Sequence, residues 1–268
     1  KCVLNADNLK EAKNVKLIGI IATGTNNVDK EFTKSRGITV TNVKGYSSDS
    51  VAQHTFALMF YLLEKLSYYD NYVKSGEYEK DVIFTHLEKK FFELSGKTWG
   101  IIGLGDIGSR VGEIAKAFGC NVIYYSTSGR NSNDRFKRVE LEELLKTSDI
   151  VSIHAPLTEH TENLIGYNEL SIMKKTALLI NVGRGKIINE SDLAKALKED
   201  LIAGAGIDVL EHEPIEADNP LLAIQDSTKL IITPHIAWAA VEARQRVMEE
   251  VCLNIDAFLK GEPRNIVK

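Results

Sequence analysis

The sequence predicts an α/β protein organised around doubly wound parallel sheets. Two observations point there. Short apolar, β-branched runs alternate with helical or polar stretches along most of the 268 residues. One of these runs passes directly into a glycine-rich turn, GLGDIG, which opens an amphipathic segment with a further apolar run behind it.

In chain order, LIGIIATG from Leu17 and ITVTNV from Ile38 read as two strands with a polar segment between them, a small βαβ region. From Ser48 the spacing changes. Val51, Ala52, Thr55, Leu58, Met59, Leu62, Leu63 and Leu66 recur at helical intervals up to Gly76, predicting one long helix that is apolar on more than one face and suited to join domains or meet a partner subunit. The stretch KTWGIIGLGDIGSRVGEIAKAFGCNVIYYS then reads as strand, glycine turn, helix, strand. DIVSIHAPL, ALLINVGRG, AGAGIDVL and KLIITPHI supply four more strands, with VELEELLKT and NESDLAKALKED among the connections. Ala240 to Lys260 reads as a final amphipathic helix ended by Gly261 and Pro263.

Composition narrows the function classes. With 33 Lys plus Arg against 37 Asp plus Glu, the net charge of -4 gives no general attraction for a polyanion, so a nucleic-acid partner is not expected. Cys2, Cys120 and Cys252 lie far apart without metal-ligand or CxxC spacing, which predicts reduced thiols and no metal site. No run approaches the roughly 18 apolar residues that span a bilayer, and no segment has signal-peptide form, so a cytoplasmic protein with no membrane partner is expected. The chain opens on Lys1 rather than Met and reads from its first residues like the middle of a fold, so residues preceding it are expected.

GLGDIG fits the dinucleotide-binding spacing GxGxxG in its required context of strand before and helix after. Gly103 serves the tight turn, Gly105 lets a pyrophosphate approach the backbone, and Gly108 allows close helix packing. The NH groups and partial positive charge of the following helix terminus suit phosphate. NAD-binding sequences then place an acid about 20 residues on, at the end of the second strand, to hold the ribose 2'-hydroxyl. Here that position is Ser126. Two readings stay open. Ser126, Thr127, Ser128 and Arg130 offer hydroxyls and a cation to a 2'-phosphate, favouring NADP; or Arg130 is solvated and NAD binds more loosely.

Beyond the glycine turn, the motifs ATGTNNVD, GYSSDSVAQHTFAL, GKTWGIIGLGDIG, IHAPLTEHTENLI, LINVGRGKIINE, AGIDVLEHEP and TPHIAWA occur in an order that resembles the D-isomer-specific 2-hydroxyacid dehydrogenases, and within them the glycerate dehydrogenases (hydroxypyruvate reductases). The likeness spans nearly the whole chain, with roughly 40 or more residues expected before Lys1.

The resemblance implies two Rossmann/flavodoxin-like domains, the cofactor domain (48–244) inserted into a substrate domain (1–47 plus 245–268), with the active site in the cleft between them. It implies an NAD- or NADP-dependent reduction of hydroxypyruvate or glyoxylate. D-lactate dehydrogenase chemistry on pyruvate and a non-enzymatic NAD(H)-sensing, co-repressor-like protein are the alternatives, and a homodimer is the expected assembly. The implied catalytic set is Arg184, Glu213 and His235. The planar fork of Arg184 suits a carboxylate with an adjacent carbonyl. His235 is the acid-base group, and Glu213, paired with it, favours the imidazolium. The resemblance assigns the backbone of Asp106 and Ile107 to pyrophosphate, Ala155 and Pro156 to the adenosine side, and Val182, Gly183 and Asp208 to the nicotinamide side. Thr23, Gly24 and Thr25 are assigned to the substrate carboxylate. His54, on the long helix, is expected to be packed or interfacial.

Overall fold

The computed structural model describes residues 2–130 and 132–267. By compactness the chain divides into two units, Lys1–Ser47 with Trp238–Lys268, and Ser48–Ala237.

In the first unit, a short helix α1 (Ala6–Leu9) is capped by the Asn5 side chain. Strand β1 (Leu17–Gly19) and strand β2 (Thr39–Thr41) pair in parallel across helix α2 (Lys30–Ser35), whose first turn is capped by Asp29. The predicted βαβ region is therefore present. The sheet here has two strands among the described residues, because only two β-branched runs occur in this part of the chain. Ile18, Ile20, Val28, Ile38 and Val40 form its core. A second small cluster joins Val43 and Tyr46 to Ala243 and Val247 of the C-terminal helix, Val241–Leu259.

In the second unit, the apolar periodicity after Ser48 forms two helices rather than one. Helix α3 (Ser48–Leu63) and helix α4 (Leu66–Lys74) are broken at Lys65, which takes left-handed backbone with φ 55°. The Lys65 side chain donates from Nζ to the Thr228 carbonyl, 3.0 Å away. α3 buries Val51, Ala52, Thr55, Phe56, Leu58, Met59 and Leu62. A helix so apolar around its circumference is a core element.

The remaining runs fold as predicted into a parallel sheet: β3 (Thr98–Ile102), β4 (Asn121–Tyr125), β5 (Lys137–Arg138), β6 (Ile150–Ile153), β7 (Leu178–Asn181), β8 (Gly204–Ile207) and β9 (Leu230–Ile232). β5, two residues long and charged, carries no apolar signal in the sequence. Helices α5 (Asp106–Ala117), α6 (Leu141–Thr147), α7 (Tyr167–Ser171) and α8 (Glu190–Lys198) lie among the connections. The strand order is β5-β4-β3-β6-β7-β8-β9, every pair parallel. The chain builds outward from β3 to one side, then returns to build outward from β6 on the other. Ligands of such sheets bind beyond the carboxyl ends of the strands, at that reversal. Because all seven strands run the same way, GLGDIG, Ser126, HAPL, VGRG, Asp208 and TPH all emerge at one edge.

Candidate active site

The reversal between β3 and β6 is shaped by glycine. Gly103 adopts φ 91°, and a Cβ there would sit 2.8 Å from the backbone of Ala155, so the turn after β3 lies directly against the segment after β6. A Cβ on Gly108 would come within 2.3 Å of the Gly103 carbonyl oxygen, which seats α5 tightly on the turn. Gly105 differs. It caps α5, and a Cβ there would meet no protein atom within 4 Å. Nothing in the protein's own packing requires glycine at that position, whereas a pyrophosphate lying on the backbone does. Asp106 and Ile107 begin α5 beside it, where first-turn NH groups are available to phosphate. The residues present thus fit a dinucleotide.

At the end of β4, Ser126 is buried and its carbonyl accepts from Gly129 N at 3.1 Å, closing a turn that leaves Arg130 exposed. Arg138 fastens the turn by donating to the Gly129 carbonyl at 2.9 Å. At the end of β6, Ala155 is buried and Pro156 exposed.

His154, just before them, is enclosed despite some exposed surface on the residue. Its Nε2 meets Ser152 Oγ at 3.0 Å, Nδ1 has no hydrogen-bond partner, and burial pushes its pKa down to about 3. A base whose folded pKa is depressed keeps its stabilising effect above the ordinary value near 6.5 and loses it as pH falls toward about 3. Acid unfolding of the wild type should therefore cost on the order of a few kcal/mol across that window that His154→Asn does not lose. Urea unfolding between pH 7 and pH 4 checks this, and parallel losses in the two proteins would contradict it.

The arginine turn follows β7. Asn181, buried at 1% exposure, accepts from Gly183 N at 3.0 Å and donates to the Arg184 carbonyl at 2.9 Å, so one side chain fixes the backbone of Val182, Gly183 and Arg184. Val182 and Gly183 are buried and Arg184 is half-buried, its Nη1 donating to the Gly183 carbonyl at 2.7 Å. Gly185 comes next, where a Cβ would fall 1.9 Å from the carbonyl carbon of Leu210. The arginine turn is thus packed directly against the loop that carries Glu213.

On that loop, Glu213 precedes Pro214 across a cis peptide bond. Its Oε1 accepts from Leu210 N at 3.1 Å, while Oε2 lies 2.7 Å from Nδ1 of His235. A charge-assisted hydrogen bond of this length orients the imidazole and leaves Nε2 as its free working edge. His235 sits at the end of the segment after β9 with φ 56°, a left-handed conformation uncommon for a residue with a side chain. Its backbone NH is held by the carbonyls of Asp208 and Thr233 at 2.8 and 2.9 Å. Glu213, His235, Asp208, Thr233 and Ile232 line a mostly apolar cavity of about 490 Å³.

Asp208 is 1% exposed. Burial alone would raise its pKa, but the adjacent His54 ring and hydrogen bonds from Thr233 and the backbone of Ala237 and Ile236 outweigh it and hold the carboxyl below its ordinary value. The structure thus brings Arg184, Glu213, His235 and Asp208 to one sheet edge with the glycine turn. Thr23, Gly24 and Thr25 belong to the first unit, in the turn after β1, where Thr23 donates to the Val43 carbonyl at 2.9 Å and accepts from Asn42 Nδ2 at 2.7 Å. Asn181 and Gly185 were not singled out in the sequence. Asn181 had a readable signal, a polar residue closing an otherwise apolar strand; the contact of Gly185 with Leu210 had none. Among the described residues there is no cluster that could hold a metal ion, and no helix is long and apolar enough to cross a membrane.

Residues 56–237 match the family model described as D-isomer specific 2-hydroxyacid dehydrogenase, NAD binding domain. The chain is 38% identical over 268 residues to a glycerate dehydrogenase of Methylorubrum extorquens, covering 100% of this chain and 83% of that protein. It is 40% identical over 269 residues to a glyoxylate reductase of Aeropyrum pernix, covering 98% and 79%. A crystal structure of D-lactate dehydrogenase from Aquifex aeolicus, complexed with NAD and lactic acid, superposes with a TM-score of 0.87 at 32% identity, covering 97% of this chain and 81% of that one. The family match over the sheet that carries the glycine turn agrees with the dinucleotide fit, and the chain belongs to the D-isomer-specific 2-hydroxyacid dehydrogenase family.

Proposed function

We propose that the protein reduces a small 2-keto acid, hydroxypyruvate or glyoxylate, to the D-2-hydroxy acid, and catalyses the reverse oxidation. The observation that carries this reading is the 2.7 Å pairing of His235 with Glu213 on the same sheet edge as the Arg184 turn and GLGDIG. A bound reduced nicotinamide supplies the hydride. Arg184 holds the substrate carboxylate and polarises the adjacent carbonyl. His235 gives its Nε2 proton to the oxygen as alkoxide character develops, and Glu213 steadies the imidazolium before that transfer. Thr23, Gly24 and Thr25 are assigned to substrate on the family resemblance, as are Ala155, Pro156, Val182, Gly183 and Asp208 to cofactor. The 38% and 40% relatives named for glycerate and glyoxylate support these substrates ahead of pyruvate.

Ser126 in place of an acid, with exposed Arg130 four residues on, supports acceptance of NADPH. Turnover of hydroxypyruvate, glyoxylate and pyruvate, each with NADH and NADPH at matched concentrations, tests both parts. Activity with NADPH that falls in Arg130→Ala is expected. A strong preference for NADH removes the phosphate reading, and tight cofactor binding without turnover of any keto acid would favour a sensor over an enzyme.

The same reading includes a homodimer. Val82, Phe84 and Leu87, at 100%, 90% and 76% exposure, form an apolar stretch after α4 that a second copy would cover. A single-chain mass by light scattering would oppose it. Three unpaired cysteines support a cytoplasmic location.

A further inference from the structure

Three groups converge on the backbone that presents His235, and they come from strands and a helix far apart in sequence. Asp208 Oδ1 accepts from the Thr233 hydroxyl at 2.6 Å and from Ile236 N at 2.9 Å, and Oδ2 accepts from Ala237 N at 2.9 Å. Three of the roughly four lone-pair sites of an ionised carboxylate are thereby used to bracket His235 from both sides. Because Thr233 spends its only proton on Asp208, its oxygen must accept at the next contact, the 3.0 Å approach of His54 Nε2. That assigns the proton of the His54 ring to Nε2: His54 donates to Thr233, Thr233 donates to Asp208, and the Asp208 carboxylate, the common acceptor, also takes the NH groups of Ile236 and Ala237 that follow His235. His54 Nε2 also stands 3.5 Å from Asp208 Oδ1.

We propose that His54 and Thr233 are positioning residues that hold His235 in its left-handed, working conformation through the buried Asp208 carboxylate. The conformation needs such support. At φ 56° a residue with a Cβ is strained, and it persists only where its surroundings over-determine it. A network of this kind also explains why a histidine stands on α3 between the buried apolar residues Val51 and Leu58, one turn away on either side. The proposal rests on His235 being the acid-base group.

The test uses the full chain with isotopically labelled histidine. The imidazole resonances and titration midpoint of His235 are followed by NMR in wild type, Thr233→Val, Thr233→Ser, His54→Leu and His54→Gln, with the exposed His212 as internal control. Thr233→Val and His54→Leu are expected to move His235 and leave His212 in place, while Thr233→Ser and His54→Gln, which keep the donated proton, restore it. In parallel, the two disruptive variants should lose about ten- to hundredfold in kcat with KM nearly unchanged, the loss expected for breaking a hydrogen bond to a charged group. The double variant should be no worse than either alone, since the two act in series. A His235 spectrum and kcat unaffected by Thr233→Val would overturn the proposal. A wild type that turns over no keto acid, while His235 still responds to Thr233→Val, counts against the proposed function and leaves the network standing.

Discussion

Replacing His235 with glutamine is expected to lower kcat for keto-acid reduction by about 10²- to 10⁴-fold, the range that a positioned general acid contributes. The side chain lines the apolar cavity and hydrogen-bonds Glu213, so the affinity for reduced nicotinamide should change little. Glu213→Gln should give a smaller loss. A glutamine oxygen can still accept from Nδ1 and orient the ring, but the charge that steadies the imidazolium formed in the reverse direction is gone. Stopped-flow measurement of nicotinamide absorbance separates the chemical step from binding. A His235→Gln enzyme that keeps more than about a tenth of the wild-type rate would remove the residue from the role of general acid.

The second large effect is expected at glycine. Gly185→Ala places a methyl carbon 1.9 Å from the Leu210 carbonyl carbon and 2.4 Å from Glu211 N, both backbone atoms. No rotamer relieves such a clash, so either the arginine turn or the Leu210–Glu213 loop must move. Loss of at least about 1–3 kcal/mol of stability follows from overpacking of this kind, together with loss of activity as Arg184 and Glu213 part. Gly105→Ala provides the contrast, since its methyl meets no protein atom within 4 Å. It should leave the unfolding midpoint near wild type and weaken cofactor binding. Thermal unfolding and cofactor fluorescence titration distinguish the two. Equal destabilisation by both substitutions would contradict the assignment of Gly105 to a ligand rather than to packing.

The parallel sheet was legible because its strands read as mainly apolar runs: TWGII, VIYY, IVSI, LLI and LII each form a strand or most of one, and β6 and β7 are buried along their whole length. β5 was not legible, since Lys137 and Arg138 pair at the sheet edge with no apolar signature. The single long helix was misread for a related reason. The periodicity from Val51 to Leu66 continues across Lys65, whose left-handed backbone breaks the helix without interrupting the apolar spacing. The site divides in the same way. GLGDIG carries its geometry in local spacing, so its turn, helix cap and packing follow from the string itself. Arg184, Glu213 and His235 were reached through resemblance, and nothing local to EHEP or TPHIAWA states that Glu213 and His235 meet at 2.7 Å. His54 is the clearest limit. On its helix it reads as a packed or interfacial residue, and only the fold brings it to Thr233 and Asp208.

The handedness of the product tests the central claim most directly. Hydroxypyruvate incubated with the protein and reduced nicotinamide, followed by chiral chromatography of the glycerate formed, should give the D enantiomer at a rate that collapses in His235→Gln. Formation of L-glycerate, or of D-glycerate at an undiminished rate in His235→Gln, would contradict the account.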